Sequence, residues 1–85
     1  MPYVTQALRG VVDSWINTLV LALPTPMNIG VLNYIITRLV AAYPHATYTE
    51  INALIGVLEC AKLELYRRVA TPYEDAKRIE NGDVY

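Results

Sequence analysis

The sequence is poor in the residues that carry most protein chemistry. Its 85 residues include one cysteine, one histidine and no phenylalanine, and charged residues make up only 18%. A single cysteine, Cys60, forbids an intramolecular disulfide, so nothing points to a secreted, stapled fold. One His and one Cys cannot supply a metal's ligand set, so no metal and no cofactor are expected. Gly10, Gly30, Gly56 and Gly82 stand singly, which excludes a glycine-rich phosphate loop. Seven Lys and Arg against eight Asp and Glu leave a net charge of −1, with no basic stripe for duplex nucleic acid.

What the chain does have is apolar surface: 54% of its residues are hydrophobic. That much apolar side chain collapses in water and excludes disorder. A chain this short forms one small domain, read here as a single helical domain over 1–85, and covers its apolar surface incompletely. Self-association is therefore expected. The chain carries seven tyrosines, which suit half-buried surfaces better than a dry core. Residues 14–37 carry no charge, but Asn17, Thr18, Pro24, Thr25, Pro26 and Asn28 interrupt them, so no membrane span is expected. Asp13 before the short Leu19–Leu23 run, with no cleavage site after it, fits a signal peptide poorly, and the cytoplasm is the expected location.

The pattern predicts an all-α fold, a compact bundle of four helical segments at about 5–23, 26–43, 48–70 and 72–81, oligomeric through the third. Leu8, Val11, Val12, Trp15, Ile16 and Leu19 recur at helical steps until Pro24 stops the first segment. The second begins at Thr25-Pro26 or at Asn28, puts Ile29, Leu32, Ile35, Ile36, Leu39 and Val40 on one face, and ends before Pro44. Its other face sets Tyr34 and Arg38 four residues apart. Thr47-Tyr48-Thr49-Glu50 is a capping-box pattern opening the third segment. There Ile51, Leu54, Ile55, Leu58, Leu65 and Val69 form one stripe, while Ala53, Gly56, Val57 and Cys60 form a second strip of small residues. A helix apolar on two sides is covered on two sides, and the strip is the expected contact with the same helix of another copy. Thr71-Pro72-Tyr73-Glu74 repeats the start signal, Glu74 and Arg78 are spaced for an ion pair, and Gly82 ends the last segment.

Certain strings are distinctive: Leu32-Asn33-Tyr34 with Ile36-Thr37-Arg38-Leu39, and Ile55-Gly56-Val57-Leu58-Glu59-Cys60. They continue through Lys62-Leu63-Glu64, Tyr66-Arg67-Arg68, Pro72-Tyr73-Glu74-Asp75 and Asn81-Gly82-Asp83-Val84-Tyr85. In these the chain resembles a family of small uncharacterised bacteriophage and bacterial proteins. The likeness covers roughly the C-terminal half and one patch of the second segment; Thr71 and Ala76 depart from the family's pattern. The resemblance implies no particular activity, so it assigns no catalytic or binding residue.

Enzyme activity is not expected. His45 lies in a loop and Cys60 mid-helix, so a nucleophilic pair would need the two to meet; a loop histidine and a buried small thiol are the simpler expectation. Glu59 and Glu64 lie on different sides of their helix and cannot act as a carboxylate pair. Lys62 falls inside the apolar stripe, where it snorkels outward, pairs with Glu59, or faces an anion. The candidate binding cluster is Lys62, Tyr66, Arg67, Arg68 and Tyr73, with Tyr34 and Arg38 contributing across an oligomer interface. Arginine forks grip phosphate and tyrosine faces stack on nucleobases. Against that, Arg67 and Arg68 have acids such as Glu64 within reach for ordinary surface ion pairs. Two functions follow. One is a non-enzymatic phage-type oligomer that sequesters a small anionic nucleotide, such as a host immune signal. The other is a structural or regulatory protein-interaction module of a phage or bacterium, with a host or phage protein as partner and no small-molecule ligand.

Overall fold

The computed structural model describes residues 3–85. Every regular element among them is helical: α1 (Gln6–Ala22), α2 (Ile29–Ala41), α3 (Tyr48–Leu65), a π turn (Tyr66–Ala70) and α4 (Thr71–Asn81). They fall into two units, Tyr3–Ala46 and Thr47–Tyr85.

In the first unit, α1 starts where the Thr5 hydroxyl accepts a hydrogen bond from the Leu8 amide at 3.3 Å. It stops at Ala22 because Leu23 precedes proline. The proline ring pushes the preceding residue out of the helical region, and Leu23 is extended at φ −66° and ψ 143°. Of the two possible starts for α2, Asn28 is the one used: its side chain accepts from the Val31 amide at 3.0 Å. The Thr25–Pro26 peptide is cis and lies outside the helix, so the segment expected at 26–43 is Ile29–Ala41.

The second unit is one continuous helical run. At its start the capping box is complete. The Glu50 amide donates to the Thr47 hydroxyl at 3.2 Å, and the Thr47 amide donates to the Glu50 carboxylate at 3.2 Å. The expected break before Pro72 does not occur. Thr71 has helical angles (φ −62°, ψ −49°) and caps nothing, and α3, the π turn and α4 follow one another without interruption. Proline inside a helix removes one amide and crowds the carbonyl four residues back. Here the turn before it widens: the Thr71 amide reaches back five residues to the Tyr66 carbonyl, which gives the Pro72 ring room. Two expected segments are therefore one rod, about 50 Å long at about 1.5 Å per residue. It ends at Gly82, whose φ of 88° is open to glycine and costly for other residues. The Gly82 amide closes the last turn on the Arg78 carbonyl at 2.8 Å.

Among the described residues none is buried. Trp15 is 65% exposed, Ile55 58% and Leu65 65%. Val12, Leu23, Ile35, Val40 and Leu54 are the large apolar residues covered to an intermediate degree. Cys60, expected as a buried thiol, is exposed. The apolar stripes are formed as the periodicity requires, and most of their large side chains are exposed. No helix among the described residues is long and apolar enough to cross a membrane.

Candidate functional site

The rod carries five of the seven candidate ligand-binding residues, and the structure pairs most of them with acids. Glu64 sits in the last turn of α3 and accepts from both arginines. Arg67 Nη2 lies 2.9 Å from Oε1 and 3.2 Å from Oε2, and Arg68 Nε lies 3.0 Å from Oε1. These are three- and four-residue spacings, the steps that make helix neighbours. Glu64 is 27% exposed while both arginines are more than half exposed, so the cluster sits on a wetted surface. Lys62, the cation inside the apolar stripe, resolves its position by pairing with Glu59 at 3.0 Å. Each of these cations therefore already has a carboxylate, and a phosphate would have to displace it.

Tyr66 is engaged too. Its hydroxyl donates to Glu74 Oε2 at 3.1 Å across the π turn. That hydrogen bond, with the nearby Glu74 charge and a little desolvation, holds the Tyr66 phenol above the ordinary tyrosine value of 10.0. Because Glu74 is turned to Tyr66, the ion pair expected between Glu74 and Arg78 is not made; Arg78 instead reaches Asp83 at 3.6 Å. Tyr73 lies beneath Lys77, whose Nζ is 5.7 Å from the ring centre, and Lys77 also meets Glu80 at 3.2 Å.

The remaining two candidates, Tyr34 and Arg38, lie on α2 in the other unit. Arg38 Nη1 donates to the Tyr34 hydroxyl at 2.9 Å, and the guanidinium carbon stands 5.8 Å from the ring centre. Beside them is an open recess of about 390 Å³, walled by Leu19, Ile35, Leu39 and Ala42. The interface candidates Ala53, Gly56, Val57 and Cys60 all lie on α3, and a side chain added at Gly56 would meet nothing within 4 Å. His45 bonds its own loop, with Nδ1 2.8 Å from the Tyr43 carbonyl oxygen. Among the described residues, no three His, Cys, Asp or Glu side chains gather as a metal site would require.

Sequence reasoning missed two features here, the Tyr66–Glu74 bond and the π turn that makes it. The available signal was Pro72, read with Thr71 as the start of a new helix when it follows a widened turn in a continuing one.

The chain belongs to a family described as a domain of unknown function (DUF6899), which spans residues 1–84. The family match thus reaches through the first thirty residues, where the likeness read from the sequence was slight. No curated protein and no solved structure matches the chain.

Proposed function

We propose that the chain is a non-enzymatic protein-interaction module of a phage or bacterium that works as an assembly of its own copies, with α3 at the contact. One observation carries this reading. The large apolar side chains of the α3 stripe are open to solvent: Ile51, Ile55, Leu58 and Leu65 are all exposed. In water, a helix face this apolar is covered by another apolar face. On this reading the compact bundle expected from the sequence is the assembled state, with a core built between chains. The setting is the cytoplasm, where a lone exposed thiol such as Cys60 stays reduced.

Sequestration of a small anionic nucleotide has less behind it. It too needs an oligomer, and the likeness to phage proteins suits it as an anti-defence device. Its proposed phosphate grips, however, are occupied: Arg67 and Arg68 by Glu64, and Lys62 by Glu59. Native mass spectrometry tests both readings together. The assembly reading expects a multiple of the 9.5 kDa chain mass with no added small-molecule mass. A 9.5 kDa species across micromolar concentrations overturns it, and a retained nucleotide mass replaces it with sequestration.

A further inference from the structure

We propose that Arg38 on α2 receives the carboxylate of Glu59 from a second copy of this chain, whose α3 seats its Ile55–Leu58 edge in the recess beside Arg38. The inference rests on the assembly reading and names its contact.

Lys62, Arg67, Arg68, Lys77 and Arg78 each have a carboxylate within 4 Å. Arg9 donates to the Val4 carbonyl at 3.2 Å. Within the unit Tyr3–Ala46, Arg38 has a tyrosine hydroxyl and a tyrosine face, and no acid. Its surroundings make that costly as soon as anything covers them. The recess walls of Leu19, Ile35, Leu39 and Ala42 are aliphatic, so an apolar helix laid there strips water from the guanidinium. A desolvated guanidinium requires a carboxylate, and a bidentate one fits its fork. Asp13 is the only acid between residues 3 and 46. Helical spacing sets it on the polar side of α1, away from the stripe to which Leu19 belongs.

The occupant must therefore be an apolar helix with an acid on its edge, and the chain contains one. Residues 47–85 hold seven acids against five bases. Glu50 is held in the capping box, Glu64 by two arginines, Glu74 by Tyr66 and Asp83 by Arg78. Asp75 and Glu80 lie on α4, a mostly polar helix. Glu59 borders a stripe of large apolar side chains, four residues after Ile55 and next to Leu58. Its present partner is an exposed lysine three residues away. A carboxylate has lone pairs for both Lys62 and Arg38.

Charge reversal in mixed chains tests the contact. Arg38→Glu alone and Glu59→Arg alone are each expected to weaken assembly roughly ten- to a hundredfold in dissociation constant, read by sedimentation over a concentration series. Mixing the two variants restores assembly to near the wild-type constant, because each mixed contact again joins opposite charges. Circular dichroism of the separate variants shows helix content retained. An Arg38→Glu chain that assembles like wild type overturns the proposal while leaving the assembly reading intact. Rescue in the Arg38→Glu/Glu59→Arg double variant but not in the mixture also overturns it, since the contact then lies within one chain. A wild-type monomer removes both.

Discussion

The Tyr66 hydroxyl and the Glu74 carboxylate lie 3.1 Å apart across eight residues, a spacing that an ordinary α-helix does not bring together. Eight residues at about 100° each leave two side chains about 80° apart. The π turn adds one residue to the circuit, turning everything after it back by about 100° and leaving roughly 20° between them. The bond is thus a consequence of the widened turn, and it holds the two flanking α-helices in that register. Pro72, which has no amide to contribute, is the reason a widened turn is tolerated at this point.

Removing this bond has a local signature. Tyr66→Phe keeps the ring and loses the hydroxyl, so amide exchange in α4 is expected to speed up severalfold while α3 amides are unchanged. Titration reads the same contact from the other side. A phenol held above 10.0 favours its protonated form in the fold, so the contact's stabilisation is complete below the ordinary value. It is lost as the pH rises through the higher, folded value. Phenolate absorbance should show the Tyr66 ionisation moving to lower pH in Glu74→Gln than in wild type.

At the other end of the rod, the start of α3 is closed by a complete capping box. Thr47→Ala leaves the Glu50 amide without its acceptor, and loss of such a cap costs about 1 kcal/mol. Thr71→Ala is the matched control: Thr71 follows the same sequence pattern but makes no cap, so the change should stay within about 0.5 kcal/mol. Urea unfolding of the two variants separates them.

These two threonines show what was legible in the sequence. Both precede a glutamate at the right distance, and local pattern alone cannot tell which opens a helix. Thr47 follows Pro44 and a loop, so no helix carbonyl reaches its amide and the Glu50 carboxylate accepts from it instead. Thr71 follows a helix already running, whose carbonyls bond its amide. The periodicities of α1, α2 and α3 were readable because they depend on neighbours three and four residues away. The partners of Arg67, Arg68 and Lys62 were within the same reach, and the sequence named Glu64 and Glu59 among them. The exposure of the stripes among the described residues was not readable, because an apolar stripe is the same string whatever covers it. Cys60 is the particular casualty: apolar neighbours suggested burial, and the thiol is exposed.

The α3 stripe gives a direct prediction for assembly. Leu58→Asp places a charge among Ile51, Ile55 and Leu65 without disturbing the cap or the π turn. If α3 is the contact between copies, burying that charge costs several kcal/mol, and the variant should sediment as a monomer at concentrations where wild type is assembled. Leu21→Asp tests the specificity of the effect. Leu21 is 88% exposed, and helical spacing sets it off the α1 stripe, so assembly should be unchanged.

Nucleotide binding is decided by the arginines' existing partner. Glu64 holds Arg67 and Arg68 together, so a phosphate entering the cluster faces a negative charge already in place. Wild-type protein is therefore expected to show no rise in Tm with cyclic dinucleotides, mononucleotides or ADP-ribose. A ligand bound at a hundred times its dissociation constant would add about 2.7 kcal/mol, far above the detection limit of a thermal scan. Glu64→Gln removes the competing charge while keeping the side chain's size. If the cluster is a phosphate site restrained by Glu64, this variant gains a nucleotide-dependent rise that Arg67→Ala abolishes. If the three residues are only a surface ion-pair network, Glu64→Gln loses under about 1 kcal/mol of stability and responds to no nucleotide. The second outcome is the one expected, because both arginines reach Glu64 at helix-neighbour spacing and need no ligand to order them.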